Sequence, residues 1–154
     1  MKLDNHLELS YSNSFRQLTP EERSKLHFMA EGEGVCIRDD EHHILISVGW
    51  HEISAFLGFL FNDKDLAENM KKNIRKMSSP YHFRDEEDIK TDLGGKVAEG
   101  IRYRYDAENI EMISESYVLK MNKTIYYFHF YTRAALFMNN KEIWDDILKT
   151  VRWT

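Results

Sequence analysis

The chain has 154 residues, 42% of them hydrophobic and 31% charged, with 9 Phe, 8 Tyr, 3 Trp and only 2 Pro. That length suits one domain with one core, and the composition excludes a disordered, collagen-like or disulfide-stapled chain. A net charge of −5, from 21 basic and 26 acidic residues, argues against broad nucleic-acid binding, which needs a basic face to displace counterions.

Cys36 is the single cysteine, so no internal disulfide can form. Met1 to Ser10 is polar and lacks the apolar core of a signal peptide. The longest apolar run, Ile53 to Phe61, is broken by Ser54 and Gly58 and is far short of the ~20 residues that a membrane helix needs. A cytoplasmic protein without membrane insertion is the expectation.

In chain order, Leu18-Thr19-Pro20-Glu21-Glu22 carries a cap, a proline suited to the first helical position and an acid three residues after the cap. It predicts a short helix to about Met29, ended by Gly32 and Gly34. Val35 to Arg38 and Ile44 to Trp50 read as strands. The second is β-branched and almost continuously apolar, as a strand covered on both faces would be. Between them Asp39-Asp40-Glu41-His42-His43 reads as a solvated turn. The stretch Ile53 to Phe61 is ambiguous between strand end, loop and early helix. From Asn62 or Asp63 a helix begins. Leu66, Ala67, Met70, Ile74 and Met77 form one stripe, acids occupy the first turn and Lys71, Lys72, Arg75 and Lys76 the last. Ser78-Ser79-Pro80 stops it.

The second half reads as an antiparallel meander. Tyr81 to Phe83 is a candidate short strand, followed by the acidic run Asp85-Glu86-Glu87-Asp88, read as a solvated turn. Gly94-Gly95 is read as relaxing the chain into a strand. Lys96 to Tyr105 alternates, with Val97, Ile101, Tyr103 and Tyr105 on one face and Arg102 and Arg104 on the other. Met112 to Lys120 returns, with Ile113, Tyr117 and Leu119 on one face. Thr124 to Thr132, dense in aromatics, suits a central strand. Asn139 or Asn140 is expected to cap a final helix whose Ile143, Trp144, Ile147, Leu148 and Val151 dock on the sheet. The fold class expected is α+β: an α/β/α sandwich of residues 1–154, with a mostly antiparallel sheet of about five to six strands and helices on both faces.

Candidate chemistry is sparse. His42 and His43 are adjacent, and His51-Glu52 is followed by Ala55 where a zinc-protease motif needs histidine, so no metal site is expected. Gly94-Gly95 lacks phosphate-loop spacing, and no cofactor motif is present. Cys36, between Val35 and Ile37, suits a buried, inert thiol, and no nucleophile-elbow motif occurs. An enzymatic alternative remains: a small hydrolase pairing His129 with Glu115 or Arg133. Arg102, Arg104 and Arg133 would suit an acidic peptide or phosphate if they cluster, making a polyanion-binding module a third option. The apolar excess at Ile53, Phe56, Leu57, Phe59, Leu60 and Phe61, with Phe28 and Met29, either fills the core or forms a partner surface.

Three segments carry a family resemblance: Gly94-Gly95-Lys96-Val97-Ala98-Glu99-Gly100-Ile101-Arg102-Tyr103; Tyr126-Tyr127-Phe128-His129-Phe130; and Phe137 with Trp144 to Trp153. In this order of elements the chain resembles the PsbP-like superfamily, which includes an extrinsic photosystem II subunit, a Ran-binding import factor and many bacterial domains. The resemblance implies a fold closed by a C-terminal helix and an aromatic tail, and action by binding other proteins. Bacterial relatives include chaperone-like adaptors for hydrophobic helices. It transfers no catalytic residue and no metal ligand. The favoured expectation is therefore a non-catalytic module binding a protein, peptide or apolar ligand through a groove or homodimer patch built from Phe56, Phe59, Leu60 and Met29.

Overall fold

The aromatic and β-branched residues of the second half build the centre of a seven-stranded sheet. The computed structural model describes residues 1–26, 33–54 and 60–154. Its strands are β1 (Leu7–Glu8), β2 (Arg16–Gln17), β3 (Glu33–Asp39), β4 (Ile44–Glu52), β5 (Arg84–Leu93), β6 (Lys96–Ala107), β7 (Ile110–Met121), β8 (Thr124–Arg133) and β9 (Arg152–Trp153). The helices are α1 (Pro20–Ser24), α2 (Asp63–Ser78) and α3 (Phe137–Lys149). The large sheet runs β2-β3-β4-β8-β7-β6-β5, every pair antiparallel. β1 and β9 form a separate pair that ties the two chain ends together. The expected meander is present, but the sheet has seven strands rather than five to six.

Strand alternation sorts the core into two layers. On one face Ile46, Phe128, Phe130 and Tyr117 meet Trp144, Ile147 and Leu148 of α3, together with Leu7, Leu9 and Phe15 from the N-terminal segment. On the other, Ile101, Tyr103, Tyr105 and Val118 meet Leu66, Ala67, Met70 and Ile74 of α2. The stripe expected on α2 is buried except for Met77, at the exposed C-terminal end. Asn62 caps α2 by accepting from the Asp65 backbone N–H, so the helix itself starts at Asp63.

Several local expectations are corrected. The capping box of Thr19 and Glu22 forms, but α1 ends at Ser24 with Lys25 as its C-cap, well before Met29. Gly34 lies within β3. Residues 84–93 are an edge strand, whereas the sequence suggested a strand at 81–83 and a turn at 85–88; residues 79–81 form a single 3-10 turn. Charge on an edge strand blocks further pairing, and these acids have partners. Lys71 and Arg75 of α2 reach Asp88 and Glu86, and Arg102 reaches Glu87. Gly94 and Gly95 form the two-residue β5–β6 turn, with φ of 61° and 91°, which glycine adopts at little cost.

Asp39 is buried rather than solvated. It accepts from the His42 backbone and ring and from Ser14 Oγ. Burial pushes its carboxyl up, and these donors more than offset that, leaving it below its ordinary range. The final helix starts at Phe137, and Asn140 is an interior residue rather than a cap. Its buried amide donates to the His42 carbonyl and Thr132 Oγ1, so a polar contact with the β3–β4 turn took the place of a capping role.

Candidate functional site

A helix is about 10 Å across and strands lie about 4.8 Å apart, so one helix shields roughly two strands. α2 lies against β6 and β7. Beside it, over β8 and β4, is a cavity of about 550 Å³, within the range of small-molecule sites. The helix wall contributes Met70, Ile74 and Met77. The sheet wall contributes Tyr103, Tyr127, His129 and Tyr131, with Ser47, Gly49 and Trp50 from β4.

The sheet wall follows from alternation along β8. Phe128 and Phe130 point to the α3 side, while Tyr127, His129 and Tyr131 share the opposite face. Their rings form a parallel row extended by His51. Centroids lie 5.9 Å apart for His51–Tyr127, 6.3 Å for Tyr127–His129 and 6.1 Å for His129–Tyr131. The last two spacings are the two-residue repeat of a strand, and the first is a diagonal contact between β4 and β8. Burial raises the phenol pKa of Tyr127 and Tyr131, and lowers that of His129 to about 4. His129 is therefore neutral near pH 7, with Nδ1 2.7 Å from Ser116 Oγ, its cross-strand partner.

The cavity floor at β4 is set by one missing side chain, that of Gly49. Gly34 and Gly49 are direct cross-strand partners. A Cβ on Gly34 would stand 2.8 Å from the Val48 carbonyl oxygen, whereas one on Gly49 would meet only the Glu33 carbonyl, at 3.6 Å. Arg23 of α1 lies over Gly34, its Nη2 3.6 Å from that Cβ position. Lys76 and Glu33 complete the charged lining. Glu33 accepts the Trp50 indole N–H at 2.9 Å.

The sequence-derived candidates are dispersed. Met29, Phe56 and Phe59 lie outside the described residues. Leu60 is 56% exposed, just ahead of α2. Arg102 and Arg104 share the α3 face, and both are held by acids: Arg102 by Glu115 and Glu87, Arg104 by Glu111 and Asp85. Arg133 pairs in register with Met112, which packs with the α2 layer, so the three arginines do not cluster. Glu115 is fully buried on the α3 side, across the sheet from His129, and the two do not form an acid–base pair. Cys36 is buried, which pushes its thiol pKa up. Among the described residues no group of three or more His, Cys, Asp or Glu could hold a metal ion, and no helix is long and apolar enough to cross a membrane.

Sequence reading missed Arg23, the Gly34–Gly49 pair and the Tyr127–Tyr131 row. The signal for the row was present: along β8 one parity reads Phe-Phe and the other Tyr-His-Tyr. Hydroxyl and imidazole tips suit a wall facing a cavity better than a dry core.

Among solved structures, the cyanobacterial PsbP of Synechocystis sp. PCC 6803 superposes with a TM-score of 0.62 at 17% identity, over 97% of this chain and 93% of that one. The fold is PsbP-like. LpqN of Mycobacterium tuberculosis, described as involved in cell envelope biogenesis, gives 0.63 at 11% identity over 98% and 86%. A Pseudomonas aeruginosa protein of unknown function, PA94, described as a putative regulator, gives 0.54 at 12% over 95% and 96%. No protein-family model and no curated protein matches the chain.

Proposed function

We propose that this protein is a non-catalytic binding module of α/β/α sandwich architecture that receives the apolar part of a partner beside α2. The partner is a protein, peptide or apolar ligand, and the module acts as an adaptor or chaperone. The observation that carries this reading is the 550 Å³ cavity with its methionine and isoleucine wall facing an aromatic row. Unbranched methionines adapt to varied apolar shapes, and the phenol and imidazole tips orient what enters. Leu60, Met29, Phe56 and Phe59 are proposed to contribute apolar surface to the partner.

The enzymatic alternative rests on the 2.7 Å contact between Ser116 and His129. Two features weigh against it. A histidine with a pKa near 4 is a weak base at neutral pH, and Ser116 is completely buried.

Nile red, a neutral apolar dye, tests the binding reading. The folded protein is expected to bind it with one-to-one stoichiometry, with enhanced, blue-shifted emission. Gly49→Val, whose Cβ would make only an ordinary van der Waals contact with the Glu33 carbonyl oxygen, is expected to fill the floor and abolish the enhancement. Dye binding unaffected by that substitution would place the site elsewhere and refute the reading.

A further inference from the structure

We propose that the cavity selects a single-chain amphiphile with a carboxylate head, held by Arg23; this rests on the binding reading above. Apolar walls alone would accept any hydrocarbon. The charged lining adds a sign. Arg23 and Lys76 carry positive charge and Glu33 negative, while His129 is neutral, leaving an excess of one positive charge.

Arg23 is half-buried and, like Arg133 and Arg152, forms no ion pair with any described residue, whereas Arg16, Arg38, Arg75, Arg84, Arg102 and Arg104 do; of those three, Arg23 lines the cavity. Its guanidinium lines the cavity, 3.6 Å from where a Cβ on Gly34 would stand. A planar guanidinium matches a planar carboxylate through two parallel hydrogen bonds. A single negative charge also balances the lining, which a doubly charged phosphate would overshoot. The chain of such a ligand would run from Arg23 across the Gly49 floor, between the tyrosine row and Met70, Ile74 and Met77.

Decanoate, 1-decanol and decyltrimethylammonium, kept below their micellar concentrations, share one tail and differ in head charge. Displacement of Nile red should rank decanoate at least tenfold above decanol, and the ammonium last. Arg23→Gln should bring decanoate to within about twofold of decanol while leaving decanol unchanged, and Gly49→Val should weaken both. Equal binding of decanoate and decanol, a preference for the ammonium, or a decanoate preference that survives Arg23→Gln overturns the carboxylate assignment while the cavity reading stands. Failure of all three amphiphiles to bind overturns both.

Discussion

Arg102 and Glu115 face each other across the β6–β7 register, with Nη2 2.7 Å from Oε2, and the carboxylate has no exposed surface. Lys141 of α3 reaches the other oxygen at 3.0 Å, so this ionic contact joins the sheet to its C-terminal helix. Removing one partner of a buried pair strands the other charge and costs about 3–5 kcal/mol. We expect Arg102→Met to lie near the lower end of that range, because Lys141 stays. Arg104 is paired only with partly exposed acids, and Arg104→Met should cost less than about 1 kcal/mol. Urea unfolding of the two variants measures the contrast; equal losses would contradict it.

His129 makes stability depend on pH. In the unfolded chain it takes a proton near pH 6.5, but in the fold only near 4, because burial disfavours its charged form. Between those values the unfolded state holds more protons, so stability falls as pH drops from about 6.5 to 4 and is indifferent to this group above 6.5. His129→Gln should flatten that part of the urea-midpoint profile. An imidazole NMR titration midpoint at 6 or higher would contradict the burial argument.

The β5–β6 turn is locked to the C-terminus. A Cβ on Gly94 would lie 2.9 Å from the Trp153 ring and from the Val151 carbonyl oxygen, whereas one on Gly95 meets nothing within 4 Å. Both glycines have positive φ, which alone costs a side chain about 1 kcal/mol. Gly95→Ala should lose about that much stability, and Gly94→Ala roughly 2–3 kcal/mol through the added clash. Similar melting points for the two variants would show that Trp153 gives way.

What the sequence made legible depended on whether a signal was local. The α2 stripe, the Thr19 cap and the three-strand meander each rest on periodicity or on neighbouring residues, and the structure has them. β5 was hidden because its acids are satisfied by Lys71, Arg75 and Arg102, from a helix and a strand distant in sequence. Asn140 misled for a related reason: an amide that can cap a helix can equally bond a remote carbonyl, here that of His42. The cavity depends on where one helix sits on a wide sheet. Gly34, Gly49 and Arg23 acquire their meaning only once β3, β4 and α1 are placed together.

Chemical-shift mapping on isotope-labelled protein titrated with decanoate addresses the cavity directly, because the His129 imidazole and the Trp144 indole report on opposite sides of the sheet. His129 lines the cavity, whereas Trp144 is buried in the α3 layer, stacked on Phe130 at 5.3 Å. Saturable shifts at the His129 imidazole and at residues 127–131, with the Trp144 indole unmoved, are the predicted result. Shifts confined to the α3 side, or none at any residue around His129, would contradict the account.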